Sequence, residues 1–212
     1  MRLRGLYAIT PDETDSSRLE QSVRTLFGAA ARHCAALQYR NKSASEAVRL
    51  EQARLLAALA RASGVPFIVN DDVRLAIAID ADGVHLGRDD GDLGGARAAL
   101  RGKLLGVSCY DSIAAARRAV AAGADYVAFG SVFPSATKPG AVRAPLGLFE
   151  EAKVLAVPLV AIGGITPQNA AEVLRAGADA LAVISALFDA PDVGARAQEF
   201  GRLLANQTGA TA

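Results

Sequence analysis

Eight short apolar runs recur along the chain of 212 residues, and longer segments with helical periodicity lie between most of them. Continuous apolar runs are typical of strands buried on both faces, and their alternation with helices is typical of a parallel sheet. Eight such units without a long linker predict one (β/α)8 barrel, a TIM barrel of the α/β class with a parallel eight-stranded core. A doubly wound open sheet is the alternative. The predicted strands cover residues 3–10, 35–40, 66–70, 83–87, 104–108, 126–130, 158–163 and 180–185.

The intervening segments predict helices over residues 16–33, 43–63, 112–122 and 166–176. Ser43-Ala-Ser-Glu46 matches a capping box at the start of the second helix, and Thr166-Pro167 matches an N-cap followed by proline. Gly123 and Gly177 stand where helices commonly end. The second helix is expected to bury a stripe that only Gln52 interrupts. That stripe consists of Ala44, Val48, Leu55 and Leu59.

Three segments of the chain echo one another. Residues 121–128 and 175–182 share a helix end, a Gly-Ala-Asp turn and a buried strand. Residues 78–85 form a weaker echo, with Asp80 where the other two have glycine. Repeated units of this kind indicate a parallel sheet covered by helices, and the length of 212 residues indicates one domain. We expect residues 1–205 to form the catalytic barrel and residues 206–212 to form a flexible tail.

The charges of the chain nearly cancel, with 23 Lys and Arg against 22 Asp and Glu and a formal net charge of +1. This balance argues against nucleic acid as the main partner, because nucleic-acid-binding domains usually carry a basic excess. No apolar stretch approaches the ~20 residues that span a bilayer, and no signal peptide is recognised, so a cytoplasmic location is expected. Cys34 and Cys109 lack metal-type spacing and are expected to be reduced, packed thiols.

Polar side chains end the second and fifth predicted strands. With a side-chain period of two, Gln38 and Arg40 share one face and Lys42 continues it, whereas Tyr39 faces the helices. Polar groups at the mouth of a barrel need partners, which predicts a ligand-binding role. The alternative is an ion pair at a helix start with solvated ends. Ser108 ends the fifth strand, where a hydroxyl can contact a substrate or cap a helix.

Asp71 and Asp90 follow the third and fourth predicted strands, and neighbouring strands lie ~4.8 Å apart in a sheet. A carboxylate from each strand end could reach one cation, and Mg²⁺ typically uses one or two carboxylates with phosphate oxygens and water. These two residues are therefore the predicted metal ligands. The alternative is that Asp71 and Asp72 cap a helix while Asp89 and Asp90 lie in a solvated turn. His85 is expected to be a hydrogen-bonded core residue rather than a ligand.

The loops after strands six to eight carry residues suited to anions. Ser135, Thr137 and Lys138 combine hydroxyls with a cation, although an exposed turn is equally compatible. Gly163-Gly164 lets a backbone approach a phosphate closely, and the loops after strands seven and eight form the phosphate site of many barrels. The long connection over residues 131–148 is expected to be a lid that orders on binding, or a disordered segment.

Taken together, these motifs resemble the thiamine phosphate synthase family. The resemblance extends in order from about residue 3 to about residue 190, which is far more specific than any one motif. The motifs that carry it are Leu6-Tyr-Ala-Ile-Thr-Pro11, Gln38-Tyr-Arg-Asn-Lys42, Asn70-Asp71, Gly83-Val-His-Leu-Gly87, Gly106-Val-Ser108, Ser135-Ala-Thr-Lys138, Ala161-Ile-Gly-Gly-Ile-Thr166 and Val183-Ile-Ser185.

The resemblance implies the reaction and the site. The family joins a hydroxymethylpyrimidine diphosphate to a thiazole phosphate, which gives thiamine phosphate and pyrophosphate. Asp71 and Asp90 would hold Mg²⁺, and Ser108 would lie near the pyrimidine. The residues implied to hold the pyrimidine diphosphate are Gln38, Tyr39, Arg40, Asn41, Lys42, Asn70 and Lys138. Those implied to hold the thiazole phosphate are Ser135, Ala136, Thr137, Gly164, Ile184 and Ser185. Those implied to be catalytic are Arg40, Lys42, Ser108 and Lys138.

The chemistry of these residue types agrees with such a transferase. A diphosphate leaves readily once Mg²⁺, arginine and lysine stabilise its charge, after which the thiazole nitrogen can attack without a covalent enzyme nucleophile. The thiazole tautomerases share the fold and the phosphate site and are the first alternative. A non-catalytic phosphate-binding barrel is the second. A homodimer is compatible with the sequence, although no feature of it indicates one.

Overall fold

The computed structural model describes residues 3–87, 92–134 and 142–208, and in this part of the chain eight parallel strands close into a barrel. Each strand pairs with the next one along the chain, and the last pairs with the first. The predicted TIM barrel is therefore confirmed, and the open sheet is excluded. The strands are β1 Gly5–Ile9, β2 Cys34–Tyr39, β3 Phe67–Asn70, β4 Gly83–Leu86, β5 Leu104–Tyr110, β6 Tyr126–Phe129, β7 Leu159–Ile162 and β8 Ala180–Val183.

Helices surround the barrel in the described residues. They are α1 Ser16–Ala30, α2 Glu46–Ala62, α3 Val73–Ala78, α4 Leu93–Leu100, α5 Ile113–Ala121, α6 Gly147–Ala152, α7 Pro167–Arg175, α8 Ser185–Phe188 and α9 Val193–Thr208, with 3₁₀ turns at Ala31–His33 and Lys153–Leu155. Helix α9 packs against α1 and α7, and it runs past residue 205, where the barrel domain was expected to end. In the described chain no helix has both the length and the apolar character needed to cross a bilayer.

Two apolar layers explain why the strands form a barrel. Leu6 and Ala8 of β1 belong to the layer between strands and helices, whereas Tyr7 and Ile9 belong to a separate cluster inside the barrel. This alternation follows from the two-residue period of a strand. Both faces of every strand are therefore buried, as the continuous apolar runs predict.

Helix α2 begins later than the sequence predicts. Its N-cap is Ser45, whose side chain accepts a hydrogen bond from the backbone N–H of Val48. The predicted capping box at Ser43 is wrong because Oδ1 of Asn41 already accepts the backbone N–H groups of Ser43 and Ala44. The predicted buried stripe is also wrong. The buried residues of α2 are Gln52, Ala53, Leu56, Ala57 and Ala60.

The three repeated segments make the same contact at the amino ends of the strands. In each, the aspartate before the strand accepts a backbone N–H near the start of the preceding strand, at 2.7, 2.8 and 3.0 Å. These aspartates are Asp82, Asp125 and Asp179. Gly123 and Gly177 end their helices with φ of 92° and 110°, and Asp80 takes the same left-handed region with φ of 55°. The predicted helix ends are thus confirmed.

Candidate active site

A cavity of about 660 Å³ opens at the carboxyl ends of the strands, and every strand contributes at least one lining residue. Its volume falls within the range of about 300–1,000 Å³ that is usual for small-molecule sites. Active sites of TIM barrels form at this end, where the loops that follow the strands meet.

The ring of Tyr126 crosses the floor of this cavity. It stacks on the imidazole of His85 with centroids 5.6 Å apart, and its centroid lies 5.9 Å from that of Tyr7. Gly106 leaves room for the ring, because a Cβ atom there would lie 2.0 Å from Cζ of Tyr126. The glycine of the Gly-Val-Ser motif is therefore required by close packing inside the barrel.

Five polar side chains form a continuous hydrogen-bond chain in this floor, which we call the floor chain. Nε2 of Gln38 donates to the hydroxyl of Tyr7 at 3.0 Å, and the hydroxyls of Tyr7 and Tyr126 are 2.7 Å apart. Nδ1 of His85 lies 3.1 Å from the Tyr126 hydroxyl, and its Nε2 lies 2.8 Å from Oγ of Ser108. Burial raises the pKa of both phenols, so both hydroxyls keep their protons at neutral pH.

The loop after β1 holds the cationic side of the cavity in place. Oγ1 of Thr10 donates to the carbonyl of Arg40 at 2.8 Å and accepts its N–H at 2.9 Å. Both carboxylate oxygens of Asp12 lie 3.0 Å from Nη1 of Arg40, and Oδ1 accepts the backbone N–H of Lys42 at 2.7 Å. Two residues of one loop therefore fix both the backbone and the guanidinium of Arg40.

Asp71 lies beside these cations at the mouth. Its φ of 63° turns the chain sharply after β3, and its N–H donates to the carbonyl of His85 at 2.9 Å. Its carboxylate accepts a hydrogen bond from Asn70 at 2.6 Å and lies 3.8 Å from Nζ of Lys42. Asp72 instead is the N-cap of α3, as its alternative interpretation predicts.

The fit of Mg²⁺ to this position depends on the donor set. The described residues contain no group of three or more His, Cys, Asp and Glu side chains that could hold a metal ion. Mg²⁺ uses fewer protein ligands, usually one or two carboxylates, and completes its shell with phosphate oxygens and water. The partly exposed carboxylate of Asp71, at the edge of a cavity lined by Arg40 and Lys42, fits that mode of binding.

The loop after β7 lies on the opposite side of the cavity. Gly163 and Gly164 have φ of 104° and 63°. A Cβ atom at Gly163 would lie 2.2 Å from Oγ of Ser131, and one at Gly164 would lie 2.3 Å from the carbonyl oxygen of Pro134. Asn169 holds the turn by donating to the carbonyl of Gly164 at 2.9 Å. Only glycine fits these two positions, which brings bare backbone to the cavity surface.

Comparison with known proteins decides the family. A family model described as thiamine monophosphate synthase matches residues 6–187. The chain belongs to this family. The thiamine-phosphate synthase of Aromatoleum aromaticum is 60% identical over 205 residues, which covers 95% of this chain and 97% of that protein. The thiamine-phosphate synthase of Methylobacillus flagellatus is 57% identical over 203 residues, which covers 95% of each protein.

A solved structure supports the same assignment. The thiamine phosphate pyrophosphorylase from Pyrococcus furiosus matches with a TM-score of 0.84 and 35% sequence identity, over 97% of each chain. The family that the motifs predict is therefore confirmed, as is the prediction of a TIM-barrel enzyme of thiamine biosynthesis.

The barrel brings most of the residues expected from the thiamine monophosphate synthase family into one cavity, from sequence positions as far apart as 38 and 185. Those that line it are Gln38, Arg40, Lys42, Asn70, Asp71, Ser108, Gly164, Ile184 and Ser185. Asp90, Ser135, Ala136, Thr137 and Lys138 lie outside the described residues.

Tyr39 and Asn41, both expected among the substrate-binding residues, point away from this cavity. The ring of Tyr39 packs on Phe67 in the helix-facing layer, and its hydroxyl donates to Gln52 at 2.9 Å. Asn41 donates to the carbonyl of Glu13 and to Gln52. Their position corrects the expectation of direct contact, because alternation along the strand turns both side chains toward α2.

Sequence reasoning missed the two tyrosines of the cavity floor and assigned His85 incompletely. Tyr7 and Tyr126 line the cavity, and His85 is hydrogen-bonded and 8% exposed, as expected of a core residue, yet it lines the cavity too. The alternation of side chains along β1 could have revealed Tyr7, because Tyr7 shares the inward face of this strand with Ile9. Nothing in the sequence indicates that residues 7, 85 and 126 meet.

Proposed function

We propose that the protein condenses 4-amino-2-methyl-5-hydroxymethylpyrimidine diphosphate with thiazole phosphate to give thiamine phosphate and pyrophosphate. The observation that carries the proposal is a single cavity with two anion-binding sides. Arg40 and Lys42 line one side, and the bare backbone of Gly163-Gly164 lines the other. A substrate pair with a diphosphate on one member and a phosphate on the other matches that arrangement. Family membership supports the same reaction.

The cationic side would bind the diphosphate. Arg40, Lys42, Asn70 and Lys138 would contact its oxygens, and Asp71 and Asp90 would hold Mg²⁺ against it. The metal would supply positive charge that neutralises the leaving group. The guanidinium of Arg40 is already oriented by Asp12, so binding requires little rearrangement of this side chain.

The reaction exchanges one bond for another. The bond from the pyrimidine methylene to the diphosphate oxygen breaks, and its electron pair leaves with the diphosphate. The aminopyrimidine ring is electron-rich and stabilises the resulting carbocation, and the thiazole nitrogen then donates its lone pair to that carbon. The enzyme contributes positioning and charge stabilisation and needs no covalent nucleophile.

The opposite side would bind the thiazole phosphate. Backbone N–H groups near Gly164, Ile184 and Ser185 suit the phosphate, as in many TIM barrels. Ser135, Ala136 and Thr137, which follow β6 in the sequence, would complete this subsite. Ser108 would lie beside the pyrimidine, between the two anionic groups.

The decisive assay measures pyrophosphate release by the purified protein with each substrate alone and with both. We expect release only with both substrates and Mg²⁺ present. Activity on the thiazole alone, without diphosphate or metal, would instead support a thiazole tautomerase. Thermal stabilisation by either substrate without any product would support a non-catalytic phosphate-binding barrel.

The metal assignment makes a separate prediction. Replacing Asp71 with Asn should raise the Mg²⁺ concentration needed for half-maximal turnover by about tenfold or more, because a carboxylate ligand loses its charge. Asp90→Asn should act similarly. Asp111→Asn is the matched control, since Asp111 is an exposed carboxylate after β5 that does not line the cavity. An unchanged Mg²⁺ dependence in both ligand variants would refute the assignment.

A cytoplasmic location and a homodimer remain part of the proposal. Both cysteines, Cys34 and Cys109, are free thiols, which agrees with a reducing compartment. Analytical ultracentrifugation of the purified protein tests the oligomeric state directly.

A further inference from the structure

We propose that Tyr7, Tyr126 and His85 are positioning residues that direct the hydroxyl proton of Ser108 into the cavity. The proposal concerns the polarity of the floor chain, meaning which atom of each pair donates. It rests on the proposed function only for the identity of the ligand that Ser108 meets.

Counting protons along the floor chain selects one polarity. Tyr7 has a single hydroxyl proton, is 1% exposed and already accepts a hydrogen bond from Gln38. Its other hydrogen-bond partner in the described chain is the hydroxyl of Tyr126, 2.7 Å away. Tyr7 therefore donates its proton to Tyr126. Tyr126 must then donate its own proton onward to Nδ1 of His85. A buried donor without an acceptor would destabilise the fold, so the hydrogen bonds of the floor chain run in this direction.

The tautomer of His85 follows from the same proton count. With Nδ1 accepting from Tyr126, the neutral imidazole carries its proton on Nε2 and donates it to Oγ of Ser108. A protonated imidazolium, or the opposite tautomer, would donate to Tyr126 and turn that hydroxyl back toward Tyr7. Tyr7 would then accept twice and its proton would lack a described acceptor. The floor chain therefore favours the neutral Nε2–H tautomer.

The end of the floor chain determines what a ligand meets. Since Ser108 accepts from His85, its own proton is available to the cavity that it lines. It would pair with a hydrogen-bond acceptor, such as the ring nitrogen of a heteroaromatic substrate, rather than with an N–H donor. At the other end, Gln38 uses its amide nitrogen on Tyr7, which leaves its carbonyl oxygen as an acceptor.

Nitrogen NMR tests the tautomer without any substrate. The chain contains two histidines, so ¹⁵N-histidine labelling gives two imidazole patterns, and a His33→Gln variant assigns them. We expect His85 in the neutral Nε2–H form at neutral pH in the wild type. Tyr126→Phe removes the donor to Nδ1 and should give a mixture of tautomers. A wild-type His85 in the Nδ1–H form, or as an imidazolium, would overturn the proposal.

Kinetics test whether the polarity matters for turnover. Tyr126→Phe should lower kcat/KM for the pyrimidine diphosphate by about tenfold, as expected for one misdirected hydrogen bond. The KM for the thiazole phosphate should change by less than about twofold. The double variant Tyr126→Phe with Ser108→Ala should be no slower than Ser108→Ala alone, because both act through the same hydroxyl. Additive losses would overturn the proposal.

Two variants separate positioning from general destabilisation. Cys109→Ala removes a fully buried polar atom next to Ser108 on the helix-facing side of β5, and it should keep wild-type kinetics. If Tyr126→Phe does not fold, Tyr7→Phe gives an independent test: the Tyr126 hydroxyl keeps His85 as its partner in the described chain, so the neutral Nε2–H tautomer should persist. A change of tautomer in that variant would overturn the proposal. If the wild type releases no pyrophosphate, the proposed function fails, whereas the tautomer result still decides the present proposal.

Discussion

Asp12 shows how one side chain outside the expected motifs can control a site. Its carboxylate contacts the guanidinium of Arg40 with both oxygens and also accepts the backbone N–H of Lys42. It therefore joins the loop after β1 to the loop after β2, orients the guanidinium of Arg40 and fixes the backbone of Lys42. Such a preformed ion pair would keep Arg40 oriented for the proposed contact with a diphosphate.

Replacing Asp12 with Asn should lower kcat/KM for the pyrimidine diphosphate by about tenfold, equivalent to ~1.4 kcal/mol, because Arg40 loses its charged partner. Steady-state kinetics with the thiazole phosphate saturating measures this. Glu20→Gln removes a comparable carboxylate from the exposed pair with Arg24 on α1 and should leave kcat/KM unchanged. Equal kinetics for both variants would show that Asp12 does not position Arg40.

At this scale the sequence predicts what lies along one strand and misses what lies across the barrel. The inward direction of Gln38 and Arg40 follows from alternation within β2, and the structure agrees. The contact between Asp12 and Arg40 depends on the path of a loop, and that between Tyr7 and Tyr126 joins residues 119 positions apart. Neither contact produces a pattern in the local sequence.

The conformation of the turn after β7 limits its sequence to glycine at two positions. Gly164→Ala would place a Cβ atom 2.3 Å from the carbonyl oxygen of Pro134, at a φ of 63°. We expect the KM for the thiazole phosphate to rise by about tenfold or more and the free energy of unfolding to fall by ~1–3 kcal/mol. Substrate titration and urea unfolding measure these two effects.

A second glycine is the control for that substitution. A Cβ atom at Gly28 in helix α1 meets nothing within 4 Å. Gly28→Ala should therefore raise the free energy of unfolding by up to ~1 kcal/mol, because alanine favours helix, without affecting KM. A Gly164→Ala enzyme with the wild-type KM would contradict the role of the turn in binding the phosphate.

The aspartates of the repeated segments act at the other end of the barrel. Oδ2 of Asp125 accepts the backbone N–H of Leu105 at 2.8 Å and pairs with Arg97 at 2.9 Å. Asp125→Ala should lower the free energy of unfolding by ~1–3 kcal/mol, because a backbone donor of β5 loses its acceptor. Turnover should stay within about twofold of wild type, since Asp125 precedes β6 on the side away from the cavity.

Chemical denaturation together with a turnover assay tests that separation. Glu51→Ala on the exposed face of α2 is the control and should change stability by less than ~0.5 kcal/mol. A large loss of turnover in Asp125→Ala at a temperature where it remains folded would show that the two ends of the barrel are coupled.

Element boundaries were predicted less well than element types. Both ends of all eight strands lie within two residues of their expected positions, because apolar runs define them. The start of α2 was misplaced, since Ser43 and Ser45 are both acceptable N-caps and only the hydrogen bonds of Asn41 decide between them. Gln52 is buried, against expectation, because its amide oxygen accepts hydrogen bonds from Tyr39 and Asn41. Apolar periodicity cannot reveal a buried polar contact.

In the whole molecule, closure of the sheet places the stabilising aspartate contacts at one end of the barrel and the cavity at the other. The amino ends of the strands are joined by Asp82, Asp125 and Asp179, whereas the carboxyl ends carry the cavity. The number and order of the strands were enough to predict this division. The interior layer was not predictable in detail, because which side chains meet inside a closed barrel depends on its register and not on the pattern of any one strand.

Burial of three tyrosines, two inside the barrel and Tyr39 in the helix-facing layer, predicts how the whole chain responds to alkaline pH. Burial raises the pKa of Tyr39 to about 12 and raises those of Tyr7 and Tyr126 further. In the unfolded chain a phenol ionises near pH ~10. Below that pH both states keep their protons and stability is complete. Above it the unfolded chain releases protons that the folded chain retains, so stability falls as pH rises toward 12 and beyond.

Each buried phenol should contribute a slope of about 1.4 kcal/mol per pH unit to this loss. In a Tyr110→Phe background, which leaves only the three buried tyrosines, phenolate absorbance should appear together with the loss of helical circular dichroism. Adding Tyr39→Phe removes one proton-releasing group, so the slope between pH 10 and 12 should become about one third shallower. Full phenolate absorbance while the helical signal persists would mean that solvent reaches these hydroxyls in the folded barrel, and the closed floor beneath the cavity would have to be abandoned.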